Sequence, residues 1–131
     1  MTADDDREVL LDRLGRRLVA QSPAERQLAV RRAAAWPADL SAEARGEWQE
    51  LRLQDEDLMR LRMFTRRVSD TPGILDEVGR GEAWQAFSGA VARAGTAILA
   101  GDRLGEEART AALAPFAADG EDGPMTSEET S

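Results

Sequence analysis

Ser41 to Val68 reads SAEARGEWQELRLQDEDLMRLRMFTRRV, without proline and with one glycine, Gly46. Apolar residues recur through it at helical spacing, which predicts one continuous helix over 41–68, about 40 Å long at about 1.5 Å per residue. Leu51, Leu53, Leu58, Leu61, Phe64 and Val68 share a broad face and are assigned to the core. A narrower line, Trp48, Arg52, Asp55, Met59 and Met63, runs along roughly the opposite side at steps of three and four. Two readings of that line stay open. Neighbouring helices cover both sides of the long one, or the line is a groove for a partner or a second copy, since Trp, Met and Arg are enriched at interfaces. Arg60, Arg62, Arg66 and Arg67 add a basic cluster at the C-terminal end, where cations offset the helix dipole.

Upstream, residues 5–20 are read as a first helix. Asp5 and Glu8 stand at the spacing of a capping box, and Leu10, Leu11, Leu14 and Leu18 fall on one face. Ser22-Pro23-Ala24-Glu25 starts a second helix, with a capping serine, proline in the first turn and glutamate at the third position. It is expected to run to about Ala35, with shallow burial, and Trp36-Pro37 stops it. Ser41 caps the long helix. Downstream, Thr71-Pro72 caps a short helix through Val78, and Gly79-Arg80-Gly81 is a turn. Residues 82–100 carry a stripe of Trp84, Phe87, Val91, Ala94 and Ile98; their far side is small, with Ser88, Gly89, Ala92, Thr96 and Ala100. A last helix follows Glu106-Glu107 to about Ala118, interrupted at Pro115. Residues 119–131, DGEDGPMTSEETS, are acidic and nearly free of apolar groups, and are expected to be a disordered tail. The fold is therefore read as all-α: a single compact domain, 1–118, of five to six helices around a long central helix, followed by the tail 119–131.

Composition narrows the chemistry. Among 131 residues there is no His, Cys, Tyr, Lys or Asn, and all 17 basic residues are Arg. This usage points to a GC-rich bacterial or phage genome. Imidazole bases, thiol nucleophiles, Schiff-base lysines and nearly every zinc site are excluded, leaving carboxylates, hydroxyls, amides and guanidinium groups. No catalytic residue, cofactor site or metal site is assigned. Glu43, Glu47 and Glu50 lie near one helix face, as in carboxylate-bridged metal bundles, but the Glu-x-x-His partners are missing. The net charge of −8 is concentrated at the ends, in Asp4–Asp6 and in five acids from Asp119 onward; the 17 remaining acids match the 17 arginines. A neutral body is neither a DNA mimic nor a basic nucleic-acid binder. No stretch is apolar for 18 residues, and the acidic start lacks the basic n-region of a signal peptide, so a cytoplasmic protein is expected.

These observations lead to a non-catalytic protein-binding module, a small subunit, adaptor or inhibitor in a hetero-complex or homodimer. Its contact residues are assigned as Trp48, Arg52, Met59, Met63, Arg66 and Arg67. Nucleic acid and membrane are not expected partners. The alternative is a small helical transcriptional regulator binding DNA as a dimer through 22–35 and the long helix, although so long a second helix does not suit a major-groove recognition helix. An enzyme built on paired carboxylates survives only as part of a larger active site.

Overall fold

The computed structural model describes the backbone of residues 3–117 and the side chains of residues 6–117. Among them the chain is all-α, with seven α-helices: α1 Ala3–Val19, α2 Pro23–Ala33, α3 Ala42–Glu50, α4 Asp55–Ser69, α5 Ile74–Val78, α6 Glu82–Ala100 and α7 Glu106–Leu113. Short 3-10 turns, Gly101–Arg103 and Ala114–Phe116, follow α6 and α7. No helix among the described residues is long and apolar enough to cross a membrane. The expected tail 119–131 lies outside the described residues.

The helix count exceeds the expected five to six because the 41–68 stretch is two helices. Leu51 to Gln54 is extended, with Leu51 at φ −65°, ψ 134° and Gln54 at φ −74°, ψ 162°. In this link burial alternates: Leu51 and Leu53 are half-buried, while Arg52 and Gln54 face water. The alternation is the period-two pattern of extended chain. It sends the two leucines to different places, Leu51 against one core cluster and Leu53 against another, which one helical face would not do. Asp55, Glu56 and Asp57 then form the first turn of α4, where carboxylates meet the positive end of the helix dipole.

The central element is consequently α6. It packs against α1, α2, α4, α5 and α7 and belongs to both core clusters. Phe87, Ala90, Val91, Ala94 and Leu99 join Leu11, Leu14, Leu18, Phe64, Val68, Ile74 and Phe116 in the larger cluster. Ala97 and Ala100 join Leu40, Ala44, Leu104, Ala108 and Ala112 in the smaller one. Small side chains let neighbours approach closely: a Cβ on Gly95 would stand 2.8 Å from both Leu61 Cδ1 and a Phe64 ring carbon. The Ser88 and Thr96 hydroxyls donate to the Trp84 and Ala92 carbonyls, so the small face keeps no unmet hydroxyl donor.

The ends of the other helices follow local chemistry, with some corrections. Ser22 and Glu25 form the expected capping box, Ser22 N donating to Glu25 Oε1 at 2.8 Å and Glu25 N to Ser22 Oγ at 3.2 Å. The helix they start ends at Ala33, and turns carry the chain on to Leu40. Ser41 Oγ accepts from Ala44 N at the start of α3. Because α1 already includes Ala3, Asp5 lies inside it rather than at its cap. Gly73, at φ 79°, precedes α5 in place of a Thr71 cap. Burial of α2 is shallow in apolar terms, through Ala29 and Ala33, but Arg26 is only 3% exposed. Its guanidinium donates to Glu77 of α5 and, at 2.9 Å, to the Val19 carbonyl. Arg17 and Arg32 donate to the Phe116 and Ala117 carbonyls and tie down the last turn.

Candidate functional site

Helix α4 holds its place by an inward line of Asp57, Leu61, Phe64 and Val68, at helical spacings of four, three and four. Phe64 is wedged between two glycines, Gly15 of α1 and Gly95 of α6. Asp57 is buried at the start of the line and is met by Arg60 at 3.0 Å and by Arg103 at 3.6 Å. Arg103 also donates to the Arg52 carbonyl at 3.1 Å, which fixes the extended link against the end of α6. Two ion pairs strap α4 to α1: Arg60 to Glu8 and Arg67 to Asp12, both at 2.9 Å.

The outward side of α4 is unusually apolar. Leu58 is 43%, Met59 57% and Met63 65% exposed, and α1 adds Val9 at 46% and Leu10 at 49%. All the large apolar side chains that stand exposed among the described residues are on these two adjacent helices. Between the helices runs a shallow groove of about 340 Å³, with Leu11 and Phe64 in its lining, Met63 on the α4 side and the two ion pairs crossing it. Arg66 extends from the same side of α4, its nearest carboxylate oxygen, on Asp70, 3.9 Å away.

The six contact residues inferred from the sequence are thus divided. Met59, Met63, Arg66 and Arg67 remain together on α4, with Arg67 engaged by Asp12. Trp48 leaves the line because the link 51–54 interrupts the helix. It is half-buried against the smaller core cluster, edge-on to Trp36 with ring centroids 5.3 Å apart and planes at 86°. Its indole nitrogen is buried without a hydrogen-bond partner among the described residues. Arg52 sits in the link and donates to the Gln49 and Leu51 carbonyls at 2.9 and 2.8 Å, closing the end of α3.

Leu58, Val9 and Leu10 were missed as exposed groups. Leu58 and Leu10 belong by spacing to apolar faces, but each lies at the edge of the arc that is buried. The α4 arc narrows once Leu51 is removed to the other cluster, and Leu58 is left outside it. The acidic triad Asp55-Glu56-Asp57 was the available signal, since three acids in a row are better placed in a first turn than mid-helix.

The charged groups elsewhere serve mainly as fasteners. Glu107 of α7 accepts from Ser41 N at 2.9 Å and from Ser41 Oγ at 2.8 Å, and these bonds hold its carboxyl below the ordinary carboxylate range. Glu47 of α3 accepts from Gly105 N at 3.0 Å. Among the described residues no three carboxylates gather as metal ligands. Compared with family models, with curated proteins and with solved structures, the chain matches none.

Proposed function

We propose that this chain is a non-catalytic protein-binding module, a small subunit, adaptor or inhibitor, that docks through the outward face of α4 and the adjoining surface of α1. One observation carries this reading: among the described residues the exposed large apolar side chains, Val9, Leu10, Leu58, Met59 and Met63, are confined to that pair of helices. Scattered exposed leucines need no explanation, but a run on adjoining helices is the mark of an interaction surface. Unbranched methionine adapts to irregular partners, and Arg62 and Arg66 on the same side supply charges that set register. The reading involves no cofactor and no metal. A DNA-binding role ranks behind it, because α3, the helix that follows α2, carries Glu43, Glu47 and Glu50 and would bring carboxylates toward phosphates.

The test is a double variant, Met59→Ser with Met63→Ser, in the full chain. Both side chains are more than half exposed, so the free protein should keep its stability to within about 1 kcal/mol. Complex formation, read as co-migration on size exclusion with whatever species accompanies the wild-type chain, should be lost. Retention of the complex by a stably folded double variant would refute the proposed face.

A further inference from the structure

A second feature lies on other elements and is independent of the α1–α4 face. The turn after α2, the middle of α6 and the end of α7 enclose a small pocket of about 100 Å³. Trp36, Leu40 and Pro115 are among its apolar walls, and the charged groups that line it are Arg32, Arg93 and Asp39. Arg93 is the unusual member. Arg26, Arg60, Arg67 and Arg103 each reach a carboxylate. Arg93 is half-buried on α6 and has no hydrogen bond or ion pair to an acceptor among the described residues. Its guanidinium carbon lies 4.5 Å from the centre of the Trp36 ring. Burial pushes its pKa down, the direction expected of a cation withdrawn from water without a counter-charge.

A guanidinium held over an aromatic ring by its charge does not spend its N–H donors on that contact and keeps them for an acceptor such as a carboxylate. Arg32 also lines the pocket but is committed elsewhere, its guanidinium donating to the Ala117 carbonyl at 2.9 Å. Asp39 opposes an anion but is exposed, so water screens it more than it screens Arg93. The cation withdrawn beside the apolar lining is Arg93, while its opposing charge stands in water, and the pocket's size suits only a few heavy atoms.

We propose that the Trp36–Arg93 pocket is a binding site for a small organic carboxylate, its charge on the Arg93 N–H edge and its short hydrocarbon part against Leu40 and Pro115. The full chain is titrated with sodium propionate, with n-propylamine hydrochloride and with inorganic phosphate, at constant ionic strength, following the Trp36 indole resonance by NMR. Propionate should give a saturable shift with a dissociation constant of about 1–10 mM, in keeping with so few atoms. The amine should give none, and phosphate, which cannot use the apolar wall, should bind at least about tenfold more weakly. Arg93→Gln should abolish the propionate response. Asp39→Asn, which removes the opposing charge from an exposed position, should tighten it about two- to fivefold; this variant decides the matter if Arg93→Gln does not fold. An equal response to the amine, phosphate binding tighter than propionate, an unchanged response in Arg93→Gln, or no tightening in Asp39→Asn would each overturn the assignment.

Discussion

Trp48→Ala and Met59→Ala compared in the free protein separate a broken helix from a continuous one. On one uninterrupted helix the two residues would share a line and a common environment. In the structure Trp48 packs with Trp36 against Leu40, Ala44 and Leu104, whereas Met59 is 57% exposed. Truncating a fully buried tryptophan costs about 3–5 kcal/mol. Trp48 is only half-buried, which lowers that figure, and its edge-on contact with Trp36 restores about 1 kcal/mol. Removing an indole N–H that is buried without a partner returns part of its desolvation cost. The net expectation is a loss of about 2 kcal/mol for Trp48→Ala, against less than about 0.5 kcal/mol for Met59→Ala. Urea melts followed by far-ultraviolet circular dichroism measure both from the shift in midpoint at constant slope. A loss above about 1.5 kcal/mol in Met59→Ala would place that side chain in a core and refute the assignment of α4's outward face. A Trp48→Ala loss below about 0.5 kcal/mol would return tryptophan to the exposed strip.

Two further expectations follow from the close contacts and from the caps. Gly46→Ala and Gly95→Ala make the same helix-favouring change with opposite results. At Gly46 nothing lies within 4 Å of the new methyl, so the protein should gain about 0.5–1 kcal/mol; at Gly95 the methyl meets Leu61 and Phe64 at 2.8 Å, and a net loss of about 1–2 kcal/mol in the same urea melts is expected. Glu107 should titrate below the ordinary 4.5 in a carboxyl-resolved NMR experiment, because the backbone N–H and then the hydroxyl of Ser41 bond to its ionised form. A carboxyl lowered in the folded state contributes stability that is present above its unfolded pKa and is lost as pH falls through the folded one, so acid weakens the α3–α7 junction and Glu107→Gln should flatten that decline.

Much of the fold was legible because it rests on local chemistry. The capping box at Ser22 and the stripe on α6 can be read within a dozen residues, and both stand where the spacing put them. The choice of α6 as the hub was less visible, because alanine and glycine give a weak apolar signal while permitting the closest approach, as at Gly95. The break at 51–54 was obscured for a related reason. Leu51 and Leu53 fit a helical face and an extended strip equally well over so few residues, and tertiary packing into two clusters settles between them. Buried Arg26 was not legible at all, since its partner Glu77 is far away in the chain and belongs to a different helix. Met59, Met63, Arg66 and Arg67 stay together because their placement depends only on spacing within α4. Trp48 and Arg52 dropped out because their place on the line depended on a helix that stops at Glu50.

Site-specific photo-crosslinking in the cells that make the chain tests the proposed docking face most directly. A photoreactive phenylalanine analogue replaces Met63, and in separate proteins it replaces Glu106 at the start of α7 or Arg31 on α2, both of them exposed. The account predicts one discrete protein adduct, identified by mass spectrometry, from position 63, with none of that species from positions 31 and 106. No adduct at position 63, or the same adduct from all three positions, would contradict it.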